Sequence, residues 1–177
     1  MNRGLIMMHT IQRLLLTLIV VALSSCAIHT NALRGQYDKR IERLQKERDK
    51  LGRQTDPVDR TKTYISISEI LLSLASDAIK SGEPEAMGKH LTEYVGTVRE
   101  AHQTMMKTGR DAHRKPKGFK ELEIALRRQI NMLNDLGRTV TFDQRDPIDK
   151  AKAEVSSMRE DVFRALFGDQ NAPARKG

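Results

Sequence analysis

Apolar residues recur three and four positions apart through most of the chain beyond residue 55. This spacing puts them on one face of an α-helix, which has 3.6 residues per turn. Such stripes lie in segments 57–80, 84–108, 119–140 and 146–167. Because short connections make consecutive helices neighbours, we predict an all-α fold, an antiparallel helical bundle of four main helices.

Each segment has its own expected core stripe. The first segment has the widest apolar face, flanked by further isoleucines and leucines, so we expect it to be the most buried helix. In chain order the stripes are Tyr64, Ile67, Leu71, Leu74 and Ala78; Met87, Leu91, Tyr94, Val98, Ala101 and Met105; Phe119, Leu122, Leu126, Ile130, Leu133 and Leu136; and Ile148, Ala151, Val155, Met158, Val162, Ala165 and Leu166.

Helix ends are marked by capping residues and glycines. Asp56 before Pro57 is typical of a helix start, and Asp146 before Pro147 repeats the pattern, so we expect both aspartates to cap a helix. Duplication of a helical hairpin would explain why the two motifs are alike, and so would convergence on the same capping chemistry. The residues on either side of the two motifs do not align without gaps, which favours convergence. Gly137 is expected to mark the end of the third helix.

A charged segment, residues 36–54, precedes the four helices. Its apolar residues alternate at spacings of four and three, with Arg48 in an intervening core position. This is the seam of a coiled coil, but it spans barely two heptads. We therefore expect a helix that packs along the bundle or extends as a stalk. The seam residues are Tyr37, Ile41, Leu44 and Leu51.

The composition supports a helical domain stabilised by packing. Aromatic residues make up 4% of the chain, tryptophan is absent and charged residues reach 31%, which is unusual for sheet-rich folds. A single cysteine excludes an intrachain disulfide framework.

The N-terminal segment has the organisation of an export signal. Arg3 and Arg13 precede an apolar run, residues 14–23, and no acidic residue lies upstream of Ser24, Ser25 and Cys26. A basic region, a short apolar core and small residues at a cleavage point are typical of a signal peptide. With a cysteine directly after the cut, the segment resembles the lipobox of bacterial lipoprotein precursors.

That resemblance implies cleavage between Ser25 and Cys26 and acylation of Cys26, which would anchor the chain stably in a membrane. The expected organisation is a signal peptide (1–25), a lipidated tether (26–35), a bundle (36–168) and a flexible tail (169–177). Ala27 favours the outer over the inner membrane, with the domain facing the periplasm. A secretory signal with an incidental cysteine and an uncleaved anchor are the alternatives. Translation could start at Met1, Met7 or Met8.

The net charge of +8 is concentrated in one segment, residues 107–128, which holds eight Lys or Arg against three carboxylates. We expect this basic patch to contact anionic lipid, a cell-wall component or another envelope protein, because an exported protein rarely meets nucleic acid. A solvated helix end is the alternative interpretation. The patch comprises Lys107, Arg110, Arg114, Lys115, Lys117, Lys120, Arg127 and Arg128.

The remaining polar residues form no recognisable catalytic or metal-binding motif. The histidines lack the spacing of a bundle metal site, Glu121 and Glu123 point to different sides of a helix, and the methionines fall on core stripes. We therefore expect no enzyme, metal or cofactor, and a binding or scaffolding role. The alternative is a bundle that holds a small ligand or metal in a cavity lined by Tyr64, Tyr94, His90 or His102.

Overall fold

The computed structural model describes residues 35–168. The proposed signal peptide, Cys26, most of the tether and the tail from residue 169 lie outside the described residues. The chain divides between Lys39 and Arg40 into two units. Within the described part there are five α-helices and no strand, which confirms the all-α fold class.

The helix boundaries follow the sequence pattern closely. Segment 84–108 forms a helix that ends two residues earlier than predicted, and segment 119–140 forms one that ends one residue earlier. Gly137 lies inside the helix of segment 119–140, so its assignment as the end of that helix was wrong. A short 3₁₀ turn, Phe142–Gln144, follows. The helices are α1 (35–53), α2 (Pro57–Lys80), α3 (Pro84–Met106), α4 (Phe119–Thr139) and α5 (Asp146–Phe167).

The core of the second unit lies between α2, α3, α4 and α5. Helix α2 packs against α3 and α4, and α5 packs against the same two helices. Twelve residues of α2 are buried, more than in α3, α4 or α5, which confirms the prediction from its wide apolar face.

The two Asp-Pro motifs begin their helices differently. The Asp56 carboxylate accepts a hydrogen bond from the backbone N–H of Asp59 at 2.9 Å, as predicted. Asp146 instead lies inside α5, and its carboxylate pairs with Lys150 at 2.7 Å. The prediction that Asp146 caps α5 was therefore wrong. The physical reason is that Arg145, after the 3₁₀ turn, already has helical backbone angles and supplies the first carbonyl of the helix.

Only part of the predicted α1 seam is buried. Leu44 is buried and Leu51 packs partly against the core, but Tyr37 and Ile41 are 38% and 39% exposed. Of the seam residues in the second unit, Leu44 and Leu51 therefore contact the core and Ile41 does not. Polar contacts hold residues 40–53 in place: Arg40 pairs with Asp77, Arg48 pairs with Glu93, and Arg60 donates hydrogen bonds to the carbonyls of Leu51 and Gln54.

Candidate functional site

The connection between α3 and α4 carries most of the predicted basic patch. Six of its eight residues lie in this loop, residues 107–118, or in the first turn of α4. All six are exposed to solvent. We call these six residues the basic cap: Lys107, Arg110, Arg114, Lys115, Lys117 and Lys120.

Arg127 and Arg128 do not belong to the basic cap. They lie about 12 Å along α4 from its first residue, at 1.5 Å per residue. Arg127 faces the carboxylate of Glu123 at 4.0 Å, and Arg128 pairs with Glu69 of α2. The predicted patch therefore separates into an exposed group at the loop and two arginines that pair with carboxylates on the body of the unit.

The loop is fixed to the body at its centre. Ala112 is buried, and the imidazole Nδ1 of His113 lies 3.2 Å from the carbonyl oxygen of Leu166 in α5. The Asp111 carboxylate accepts hydrogen bonds from the backbone N–H groups of His113 and Arg114, at 3.0 and 3.2 Å. These contacts give the loop a defined conformation, so the basic side chains project from a fixed backbone.

The loop is also fixed where α4 begins. Gly118 has a φ of +91°, and a Cβ at this position would lie 2.6 Å from the Cε of Met105 and 3.2 Å from the Cγ2 of Val58. The Glu121 carboxylate accepts a hydrogen bond from the Gly118 N–H at 2.6 Å. Only glycine combines this φ with such close packing, which seats the loop against the start of α2 and the end of α3.

The charge of the basic cap is only weakly neutralised. Residues 107–121 hold six Lys or Arg against Asp111 and Glu121, a net charge of +4, and both carboxylates already bind backbone N–H groups. Asp111 pairs with Arg114 at 3.4 Å. Within residues 35–168 no ion pair engages the remaining cations of the loop and the first turn of α4, which are Lys107, Arg110, Lys115, Lys117 and Lys120.

Two phenylalanines, one shortly before α5 and one at its end, are also exposed. Phe142, in the 3₁₀ turn between α4 and α5, is 90% exposed. Phe167, the last residue of α5, is 60% exposed, next to the Leu166 carbonyl that His113 contacts.

The side chains proposed to line a ligand cavity have contacts inside the fold. The hydroxyl of Tyr94 donates to the amide oxygen of Gln129 at 3.2 Å, and that of Tyr64 accepts from Arg60 at 3.0 Å. Burial raises the pKa of the Tyr94 phenol well above its usual range. The Tyr94 hydroxyl thus bonds across from α3 to α4, whereas the Tyr64 hydroxyl bonds within α2.

Partial burial lowers the pKa of two imidazoles, those of His90 and His102. Burial lowers the pKa of His102, although Asp161, whose carboxylate lies 3.5 Å from the imidazole Nε2, opposes the shift. Burial, with a smaller contribution from Lys89, also lowers the pKa of His90. The His90 Nδ1 is buried and has no hydrogen-bond partner in the described part of the chain.

Two polar residues of the α4 core were missed by the apolar stripe. Gln129 is fully buried, and its amide nitrogen donates to the hydroxyl of Ser68 at 2.8 Å. Glu123 is buried against α5, where the Arg159 guanidinium donates to its carboxylate at 2.8 and 2.9 Å. Both residues lie three or four positions from other core residues of α4, on the face that includes Phe119. Their positions on the helix therefore indicated burial, although their polar side chains did not.

Residues 35–168 contain no group of three or more His, Cys, Asp or Glu side chains arranged to hold a metal ion. In the same range, no helix combines the length and apolar character needed to cross a bilayer. No protein-family model, curated protein or solved structure matches this chain. Function is therefore inferred from the charge and geometry of the basic cap.

Proposed function

We propose that this chain is a lipid-anchored protein of the cell envelope, held by acylated Cys26, whose helical domain binds an anionic partner through the basic cap. The observation that carries the binding role is the set of exposed, unpaired cations on a loop that is fixed at its centre and at its end. The arrangement of residues before Cys26 supports the anchor. The domain faces the periplasm, and the outer membrane is favoured over the inner.

The proposal includes an antiparallel arrangement of α2 to α5. The crowding of Gly118 by Val58 and Met105 supports it, because it brings together the starts of α2 and α4 and the end of α3. The contact of His113 with Leu166 adds the end of α5 to the same group. Such a bundle would present the basic cap at one end.

Binding or scaffolding, rather than catalysis, fits the chemistry of the basic cap. Its side chains are lysine and arginine on an exposed surface, and their ammonium and guanidinium groups attract anions. Carboxylates close to them, on Asp111 and Glu121, are engaged by backbone N–H groups instead of being available for proton transfer.

The anchor is tested by the mass of the N-terminal peptide of protein purified from membranes, compared with a Cys26→Ala variant. A peptide that begins at Cys26 and carries acyl chains is expected, with the variant released from the membrane fraction. An unmodified Cys26, or retention of residues 1–25, would refute the anchor.

The binding role is tested on beads coated with polyglutamate, using the full chain in detergent. The triple variant Lys115→Gln, Lys117→Gln and Lys120→Gln should elute at lower salt than the wild type, because it loses three unpaired cations. The control is Lys80→Gln, Lys89→Gln and Lys150→Gln, which removes the same formal charge from exposed positions near the opposite end. Two of these lysines face carboxylates, Lys80 at 3.9 Å and Lys150 at 2.7 Å, so the control matches the test variant in formal charge. Equal elution of the two triple variants would contradict a role for the basic cap.

A further inference from the structure

The second unit begins far from the basic cap. Its first residue, Arg40, pairs with Asp77, close to the last residue of α2. Gly118, which directly follows Lys117 of the basic cap, lies against Val58, close to the first residue of α2. These two positions on α2 are separated by about 29 Å, at 1.5 Å per residue. The chain therefore joins the unit at one end and displays the basic cap at the other.

We infer that the basic cap binds a second anionic surface rather than the bilayer that holds the anchor, and that this surface is the carboxylate-bearing polymer of the cell wall. The inference rests on the proposed function, because it takes Cys26 as the point of attachment. The protein would then link a membrane to the wall that faces it.

The length of chain between Cys26 and Arg40 favours this orientation. Residues 35–39 are helical, so the connection spans at most about 39 Å even if all other residues were fully extended. To set the basic cap end-on against the anchoring bilayer, Arg40 would have to lie at least about 29 Å from it. That takes up about three quarters of the maximum span and entails a corresponding loss of chain entropy. The reverse orientation requires neither.

The end where the chain joins is suited to the bilayer. The 3₁₀ turn with Phe142 lies there, because Asp146 at the start of α5 shares a surface groove with Gly88 near the start of α3. The segment 138–146 contains two arginines and two aspartates and is therefore neutral overall. An exposed aromatic ring on a neutral loop can enter the interfacial region of a bilayer without removing a net charge from water.

The basic cap is suited to a polymer with repeated carboxylates. Its lysines are spread along an exposed loop and do not converge on one pocket, so they can engage several anions at once. The arginines add planar donors that match a carboxylate in two hydrogen bonds. Many weak contacts of this kind give binding that is strong in total and sensitive to salt.

A bridging assay tests the inference directly. Full-length acylated protein is placed in phosphatidylcholine vesicles with a fluorescent lipid and mixed with purified cell-wall sacculi, which sediment at low speed. Vesicles should sediment with the sacculi only when they carry the protein. The Lys115→Gln, Lys117→Gln and Lys120→Gln variant should require at least about ten-fold more sacculi for the same effect. The Lys80→Gln, Lys89→Gln and Lys150→Gln control should behave as wild type.

Two results would overturn the inference. One is equal sedimentation with both triple variants, each shown by circular dichroism to melt as the wild type does. The other is capture by a second population of phosphatidylglycerol vesicles without capture by sacculi, which would make lipid the partner. A missing lipid anchor would give a different result from a lack of wall binding. Unacylated protein would sediment with the sacculi, while the vesicles stayed in solution.

Discussion

At the scale of single residues, Gln129 is a polar side chain with no exposure to water. Its amide joins Tyr94 of α3 to Ser68 of α2, at 3.2 and 2.8 Å. Gln129→Leu keeps a similar volume but leaves the Tyr94 hydroxyl buried and unpaired. We expect the free energy of unfolding in urea to fall by about 1–3 kcal/mol.

A double variant, Tyr94→Phe with Gln129→Leu, provides the control for this effect. It removes the unpaired hydroxyl, so the loss of stability should be smaller than the sum of the two single changes. Simple additivity would show that the two side chains are not coupled.

His90 and His102 should make stability depend on pH. Burial lowers the pKa of each imidazole below the value of 6.5 that it would have in the unfolded chain. Below pH 6.5 the unfolded chain therefore binds more protons than the folded one. The contribution of these two imidazoles to the free energy of unfolding should be constant above this pH, and stability should fall as the solution is acidified towards their folded-state pKa.

Urea unfolding across the neutral to mildly acidic range measures this dependence. In the double variant His90→Asn, His102→Asn the fall in stability on acidification should be smaller than in the wild type. A pH profile that is identical in the two proteins would assign the dependence to other groups.

At the scale of elements, two glycines of the α3–α4 loop offer a matched comparison. Both have positive φ, +61° at Gly109 and +91° at Gly118, but only Gly118 is crowded by neighbouring side chains. Gly109→Ala should cost about 1 kcal/mol of stability from backbone strain alone. Gly118→Ala should cost about 2–4 kcal/mol, because Met105 must also move.

Thermal unfolding and amide exchange measure the two effects. Faster exchange at Ala112 and His113 is expected in Gly118→Ala, since the loop loses its seat on Val58 and Met105. Equal stabilities of the two variants would show that close packing at Gly118 does not hold the loop.

At the scale of the whole molecule, tryptophan fluorescence can report which end of the second unit faces the anchoring bilayer. The chain contains no tryptophan, so an introduced one is the only such reporter. Phe142→Trp and Phe167→Trp each introduce a single reporter, at opposite ends of the second unit and at exposed positions. In vesicles with brominated lipid, the fluorescence of the Phe142→Trp protein should shift to the blue and be quenched. That of the Phe167→Trp protein should not.

The opposite pattern, with quenching only in Phe167→Trp, would mean that the basic cap rests on the anchoring bilayer. The same two substitutions in a Cys26→Ala background control for the anchor. Without acylation, quenching at position 142 should disappear.

The sequence alone determined the helices and most of their buried faces. Periodicity and turn residues act over a few neighbouring positions, so every residue predicted for the core stripe of α3, from Met87 to Met105, is buried, although the prediction missed Val95. The concentration of basic residues near the α3–α4 connection was likewise visible, because charge density along a chain needs no structure to be counted.

Only the tertiary structure decided which basic residues are ion-paired and which aspartates cap a helix. Arg128 pairs with Glu69, a residue remote in sequence, whereas Lys117 has no partner in the described part of the chain. Asp56 caps a helix and Asp146 does not, although their local sequences match, because a 3₁₀ turn precedes only the second. Pairing and burial depend on what a fold brings close in space, which local periodicity does not encode.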